Sequence, residues 1–254
     1  MEHLDIAEII SALDPSYWRV RHFDVIDSTQ ISLVAQVVQG VAAPGDVYLA
    51  EFQSAGKGRA NRNFTSQPGD GVLLSTVIAA HTQPENRWGW IPLITGVAAC
   101  AAIFKSTGIN AQLKWPNDLM IGDEKVGGII AEKINEKVVV GIGINCLQTA
   151  ENLPAPGATS LQLHTDEKVD RTKLVIALLE SLKSISEEWE KKPLPIENKY
   201  RQLSATLEQS IRVVLPDGSE STGRAVAISS NGALVLADGR ELIAADVTHI
   251  RLNK

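Results

Sequence analysis

Two runs of residues joined by Asn135-Glu136 constrain this chain most. Residues 128–134 and 137–146 both read as strands, and a two-residue link of this kind closes a tight hairpin, so the two must pair antiparallel. The second run also has two unlike faces. In Val139-Val140-Gly141-Ile142-Gly143-Ile144-Asn145, Val140, Ile142 and Ile144 point one way and Gly141, Gly143 and Asn145 the other. Glycine weakens a strand, so two of them on one face predict that something flat, or another backbone, lies there. Packing against an Ala-rich helix, predicted over residues 86–107, is the other explanation.

The rest of the chain mixes helices with strands without a regular βαβ repeat. Residues 1–13 predict a short amphipathic helix, 18–25 a strand, and Asp27-Ser28-Thr29 the cap of a helix over 30–39. Strands are predicted over 46–53, 71–80 and 111–115, and a 3.6-period helix over 171–191. The pattern changes after Lys191-Lys192-Pro193-Leu194-Pro195. From Gln209 onward, short alternating runs are separated by Asp217-Gly218, Asn231-Gly232 and Asp238-Gly239, which are hairpin signals, so a small all-β barrel is expected there. The expected fold class is α+β, with helices packed on a mixed, mostly antiparallel sheet, and the expected domains are residues 1–205 and 206–254.

Of the 254 residues, 44% are hydrophobic and 21% charged, as in soluble globular proteins, and the net charge is -6. An acidic molecule does not bind nucleic acid or anionic membrane in bulk, so any anion site has to be local. The start, Met-Glu-His-Leu-Asp, lacks the pattern of a secretory signal, and the uncharged run 91–104 is short for a bilayer span, so a cytoplasmic location is expected. Cys100 and Cys146 read as buried, reduced thiols.

A local anion site has a candidate. Between Phe52 and Gly69 there is no acidic residue, while Lys57, Arg59 and Arg62 fall within six positions of a loop that also carries Gly56 and Gly58. Such glycines let main-chain N–H groups approach a ligand, and the cations add charge for phosphate or carboxylate oxygens. A solvated basic loop is the plain alternative. Further on, Lys114-Trp115-Pro116-Asn117-Asp118 presents Asn117 and Asp118 at a turn made rigid by proline, and Lys125 stands just before Gly127-Gly128. No Walker A pattern occurs, both Gly-x-Gly pairs lack the third glycine of a dinucleotide fingerprint, and the five histidines show no metal-ligand spacing. No nucleophile elbow or paired-carboxylate signature is present either, so no protein nucleophile is indicated.

Taken in order, these segments resemble the biotin-protein ligases. The resemblance runs from Asp27 to Leu252: Asp-Ser-Thr at 27–29, Gln53-x-x-Gly56-x-Gly58-Arg59, Lys114-Trp115-Pro116-Asn117-Asp118, Lys125-x-x-Gly128-Ile129, Gly141-x-Gly143-Ile144-Asn145, Thr159-Ser160-Leu161, and the terminal barrel. It implies a class II synthetase-like catalytic domain with a small SH3-like barrel. The implied activity is ATP-dependent, AMP-forming biotinylation: biotin becomes biotinyl-5'-adenylate and then passes to a lysine of a carboxylase's biotin carboxyl carrier domain. Biotin and ATP with Mg2+ are the implied ligands, with no resident metal site.

Carried across, Ser28, Thr29, Gln53, Gly56, Lys57, Gly58, Arg59, Lys125, Gly128, Gly141 and Gly143 line the biotin site, with Gln53 reading the ureido ring. Arg62, Lys114, Asn117 and Asn145 fall on nucleotide positions, and Lys125, Arg59, Lys114 and Asp118 carry the catalytic roles. Four features depart from the family pattern: Lys57 stands where Arg is usual and loses its planar fork, Gln30 replaces Asn, Ala60-Asn61 changes the loop, and Phe64 stands where Trp is common. Many relatives carry an amino-terminal DNA-binding domain, whereas 26 residues precede Asp27, so a ligase without a DNA partner is expected. Two other readings remain at this point: a lipoate or octanoate attachment enzyme, and a non-catalytic biotin-binding module.

Overall fold

The computed structural model describes residues 3–59, 62–79, 83–214, 218–243 and 246–249. A seven-stranded sheet forms its centre, in the order β1-β2-β3-β7-β6-β5-β4. The strands are β1 (Arg19–Ile26), β2 (Asp46–Gln53), β3 (Gly71–Ala79), β4 (Gln112–Lys114), β5 (Asp118–Ile121), β6 (Glu124–Ile134) and β7 (Lys137–Asn145). Only β1 and β2 pair in parallel; every other neighbouring pair in this sheet is antiparallel. The parallel pair needs a crossover, supplied by α2 (Thr29–Val38). The fold is therefore α+β with a mixed, mostly antiparallel sheet, as the sequence predicts.

One face of the sheet carries the large core. There α3 (Ile91–Thr107), α4 (Arg171–Lys191) and α1 (Ile6–Ala12) bury their apolar sides together with Val140, Ile142 and Ile144. The small residues of α3 let it lie close: a methyl added at Gly96 would stand 2.8 Å from Leu113 Cδ2. With the short 3-10 segment Glu85–Trp90 before it, α3 is long and apolar enough to pass for a membrane span, but most of its side chains are buried in the core it shares with the sheet and α4. On the other face, α2 covers a smaller cluster of Leu33, Val37, Tyr48, Val77 and Val139.

A buried ion pair fastens α4 to the sheet. Arg171 Nη1 donates to Glu51 Oε2 at 2.8 Å and to the Gly71 carbonyl at 3.1 Å, while the Leu4 amide donates to Glu51 Oε1 at 2.7 Å. The sequence reading missed two elements. Helix α5 (Pro193–Leu203) begins at the proline-containing stretch where the sequence pattern changes; proline is tolerated in a first helical turn, where its missing N–H has no helical partner anyway. Strand β5 occupies what reads as the continuation of a turn, because Asp118 pairs with both Lys114 and Gly128.

The C-terminal strands are β8 (Ser210–Val214), β9 (Glu220–Ile228), β10 (Leu234–Leu236), β11 (Glu241–Leu242) and β12 (Asp246–His249), in the order β11-β10-β9-β8-β12. Gly218, Gly232 and Gly239 all have positive φ, which fits the three hairpin signals. The Asn231-Gly232 turn also docks the module. Trp90 Nε1 donates to the Ser229 carbonyl at 3.1 Å and Trp115 Nε1 to the Gly232 carbonyl at 3.2 Å.

Candidate functional site

Five separate segments meet at one end of the large sheet, around a cavity of about 570 Å³. The first is the start of α2. Asp27 Oδ1 accepts from the Ser28 amide at 2.6 Å, and Ser28 Oγ caps the helix by accepting from the Ile31 amide at 3.4 Å. Ser28 and Thr29 thereby face the cavity. Thr29 also fixes Gln53 at the end of β2: its amide and hydroxyl donate to Gln53 Oε1 at 2.7 and 3.0 Å. An amide N–H is an unambiguous donor, so Gln53 must turn its carbonyl oxygen to Thr29 and keep its NH2 for another acceptor.

The second segment is the basic loop after β2, which folds back on itself. Gly58 N donates to the Arg62 carbonyl at 2.7 Å and Phe64 N to the Gly56 carbonyl at 3.0 Å, with a bridge between Lys57 and Asn63. Lys57, Gly58, Arg59 and Arg62 line the cavity, whereas Gly56 does not. Gly56 instead lets the loop close on itself, since a methyl there would meet the Phe64 carbonyl oxygen at 2.3 Å. Ala60 and Asn61 lie outside the described residues.

The third segment is the β4–β5 turn. Lys114, Asn117 and Asp118 all face the cavity beside Trp115-Pro116, whose peptide bond is cis. Asn117 Oδ1 accepts from Arg59 Nη1 at 3.3 Å, while its Nδ2 donates to the Ile129 carbonyl at 2.8 Å, which ties the basic loop to the sheet. The fourth is the start of β6, where Lys125 Nζ stands 2.5 Å from Asp118 Oδ1 and Gly128 lies beside the Lys125 side chain. Residues 157–159 run alongside it: Lys125 N donates to the Gly157 carbonyl and Thr159 N to the Lys125 carbonyl, both at 2.8 Å.

The fifth segment is β7. Its bare face is occupied, but not by the Ala-rich helix, which packs on the opposite face of the sheet with Val140, Ile142 and Ile144. Gln30 Oε1 stands 2.8 Å from where a methyl on Gly141 would be, and carbons of the Phe64 ring 2.5 to 2.8 Å from one on Gly143. The flat object inferred from the glycines includes a phenyl ring of the chain itself. Asn145, at the end of that face, donates from Nδ2 to the Thr159 carbonyl at 2.9 Å.

Electrostatics gives the cavity its character. Lys57, Arg59, Arg62, Lys114 and Lys125 line it, and Asp118 is the one carboxylate among the described lining residues. In a molecule of net charge -6, this is a cluster built for anions. No His or Cys is among the described lining residues, and burial pushes the Cys146 thiol up to about 12, so it stays protonated. Sequence reasoning left out Gln30, Phe64, Pro154, Ala155, Ala158 and Val247, which also line the cavity. Gln30 and Phe64 were legible as departures from a pattern. Pro154, Ala155, Ala158 and Val247 arrive only through the fold.

The chain belongs to the biotin/lipoate A/B protein ligase family, which it matches over residues 22–148. Among its relatives is the biotin--[acetyl-CoA-carboxylase] ligase of Mycobacterium tuberculosis, 32% identical over 240 residues that cover 91% of this chain and 90% of that one. The bifunctional ligase/repressor BirA of Escherichia coli is 29% identical over 241 residues, covering 92% of this chain and 73% of that protein. The fold is similar to that of the biotin protein ligase from Aquifex aeolicus in complex with biotin and ATP. Its TM-score is 0.77 at 25% identity, covering 92% of this chain and 99% of that one.

Proposed function

We propose that this protein is a biotin-protein ligase that activates biotin with ATP and transfers it to a lysine of a carrier protein. The observation that carries this reading is the convergence of five cations on a cavity that Gln53 also lines, with only its NH2 left to donate. That donor suits the ureido carbonyl of biotin, and the cations suit a carboxylate brought against a phosphate.

In the first step a biotin carboxylate oxygen attacks the α-phosphorus of ATP, and the bond to the bridging oxygen breaks to release pyrophosphate. Two anions repel, so the barrier falls when Arg59, Lys125, Lys114 and Arg62 neutralise the charge gathering on the phosphate oxygens. In the second step the amine nitrogen of the carrier lysine bonds to the acyl carbon. The carbon–oxygen bond breaks, AMP leaves with its electrons, and the nitrogen gives up a proton, for which Asp118 is the nearest carboxylate. The basic loop, anchored by Arg59 to Asn117, shields the anhydride from water.

Among the described residues no group of three His, Cys, Asp or Glu side chains stands together. Magnesium entering with ATP would meet Asp118, the one carboxylate among the described lining residues, and would supply further positive charge to the phosphate oxygens. The catalytic domain is assigned to residues 1–205 and the docked strand module to 206–254. The carrier is the biotinyl domain of a carboxylase. The deciding experiment is ATP–pyrophosphate exchange dependent on biotin, followed by transfer of labelled biotin to a carrier domain. Exchange with lipoate but not biotin would point to the lipoyl-type reading, and binding of biotin without exchange to a non-catalytic module.

A further inference from the structure

A second cavity, of about 590 Å³, lies behind the Trp115-Pro116-Asn117 turn. It shares that turn, residues 57–59 and residues 129–130 with the reaction cavity. Its other walls come from two folding units: Pro92 and Leu93 at the start of α3, Ile31 and Ala131 beside the sheet, and Ile243 from the C-terminal module. These walls expose apolar surface, with Ile243 81% and Ile31 41% accessible. Glu132 stands on the same wall, and its Oε1 accepts from Gln30 Nε2 at 3.1 Å. Gln30 lines the reaction cavity, so at this point one hydrogen-bonded pair of side chains divides the two spaces.

We infer that the second cavity is where the carrier domain docks, with its acceptor lysine passing the Asn117 turn to reach the activated biotin. The inference rests on the ligase reading. A folded carrier cannot enter a cavity of this size, so only a lysine side chain goes in, and the body of the carrier needs a platform beside the opening. The platform must adjoin the cations that hold the acyl phosphate. The second cavity does, through Lys57 and Arg59 beside Asn117.

An approaching lysine ammonium is repelled by those cations, and Glu132 is the one carboxylate on the described walls of the second cavity that offsets this. The exposed apolar side chains around it supply the kind of anchor that protein partners use. A triphosphate is a poor occupant, because away from the shared edge the described walls are apolar or acidic.

The test uses Ile243→Lys and Ala131→Lys in the full chain, since neither residue lines the reaction cavity. Each is expected to raise KM for a purified carrier domain by about tenfold, as when charge replaces an interface anchor. Biotin-dependent pyrophosphate exchange should stay within about twofold of the parent, and so should discharge of the adenylate by hydroxylamine, because neither needs the docking surface. An unchanged carrier KM in both variants overturns the docking site. So does a raised KM for ATP in exchange, which makes this a nucleotide subsite, or a loss of oligomer mass, which makes it a subunit interface. Absence of exchange in the parent protein would instead defeat the ligase reading.

Discussion

Replacing Gly143 by Ala tests how β7 shapes the reaction cavity. The new methyl would stand 2.5, 2.7 and 2.8 Å from three carbons of the Phe64 ring, well inside van der Waals contact. The ring has to retreat by roughly 1 Å, and its main chain is held by the Gly56–Phe64 hydrogen bond of 3.0 Å. Overpacking of this kind costs about 1–3 kcal/mol. Phe64 is half-buried on a loop, so the lower part of that range, about 1–2 kcal/mol, applies to folding stability. A loss of about 1.4 kcal/mol in binding would weaken biotin roughly tenfold.

Denaturant unfolding and titration calorimetry with biotin measure the two effects, and Phe64→Ala supplies the control. With the ring gone the methyl has room, so the double variant should recover most of the stability lost by Gly143→Ala, a coupling of about 1–2 kcal/mol. If Gly143→Ala costs the same in the Phe64→Ala background, the ring is not what the glycine accommodates, and the account of this strand face is wrong.

Other perturbations separate chemistry from stability. Lys125→Ala removes a charge from the phosphate wall and should lower biotin-dependent exchange by about 10²–10³-fold. Its side chain is 43% exposed, so denaturant stability should move by less than about 0.5 kcal/mol; unchanged exchange would refute the role. At the buried pair, Arg171→Met strands the Glu51 carboxylate and should destabilise by about 3–5 kcal/mol in denaturant unfolding. Burial alone would raise the Glu51 carboxyl, but the Leu4 amide, Arg171 and His22 more than offset this and hold it below its ordinary value of 4.5. Its contribution to stability is therefore present above that value and lost as pH falls through the lower folded one, so Glu51→Gln should flatten the acid limb of a stability–pH profile. Cys100 and Cys146 are both pushed up to about 12 by burial, so neither should react with a thiol reagent at pH 8 until denaturant is added.

The local pattern of the chain determined a good deal by itself. Alternation at residues 139–145 gave the strand and its bare face, Asn135-Glu136 the hairpin, Asp27-Ser28-Thr29 the cap of α2, and the acid-free stretch the anion loop, because each depends on neighbours within a few positions. Residue identity in order was enough to point to the family. The tertiary structure alone decided what meets what. It placed the Phe64 ring on Gly143, turned the Gln53 carbonyl to Thr29, paired Lys125 with Asp118, and drew Pro154, Ala155, Ala158 and Val247 to the cavity. It also made a helix of the proline-containing stretch from Pro193 and docked the C-terminal turn on Trp90 and Trp115. These outcomes join residues far apart in the chain, and they are settled by packing and by the need to satisfy buried polar groups across the whole molecule, which no short window of sequence contains.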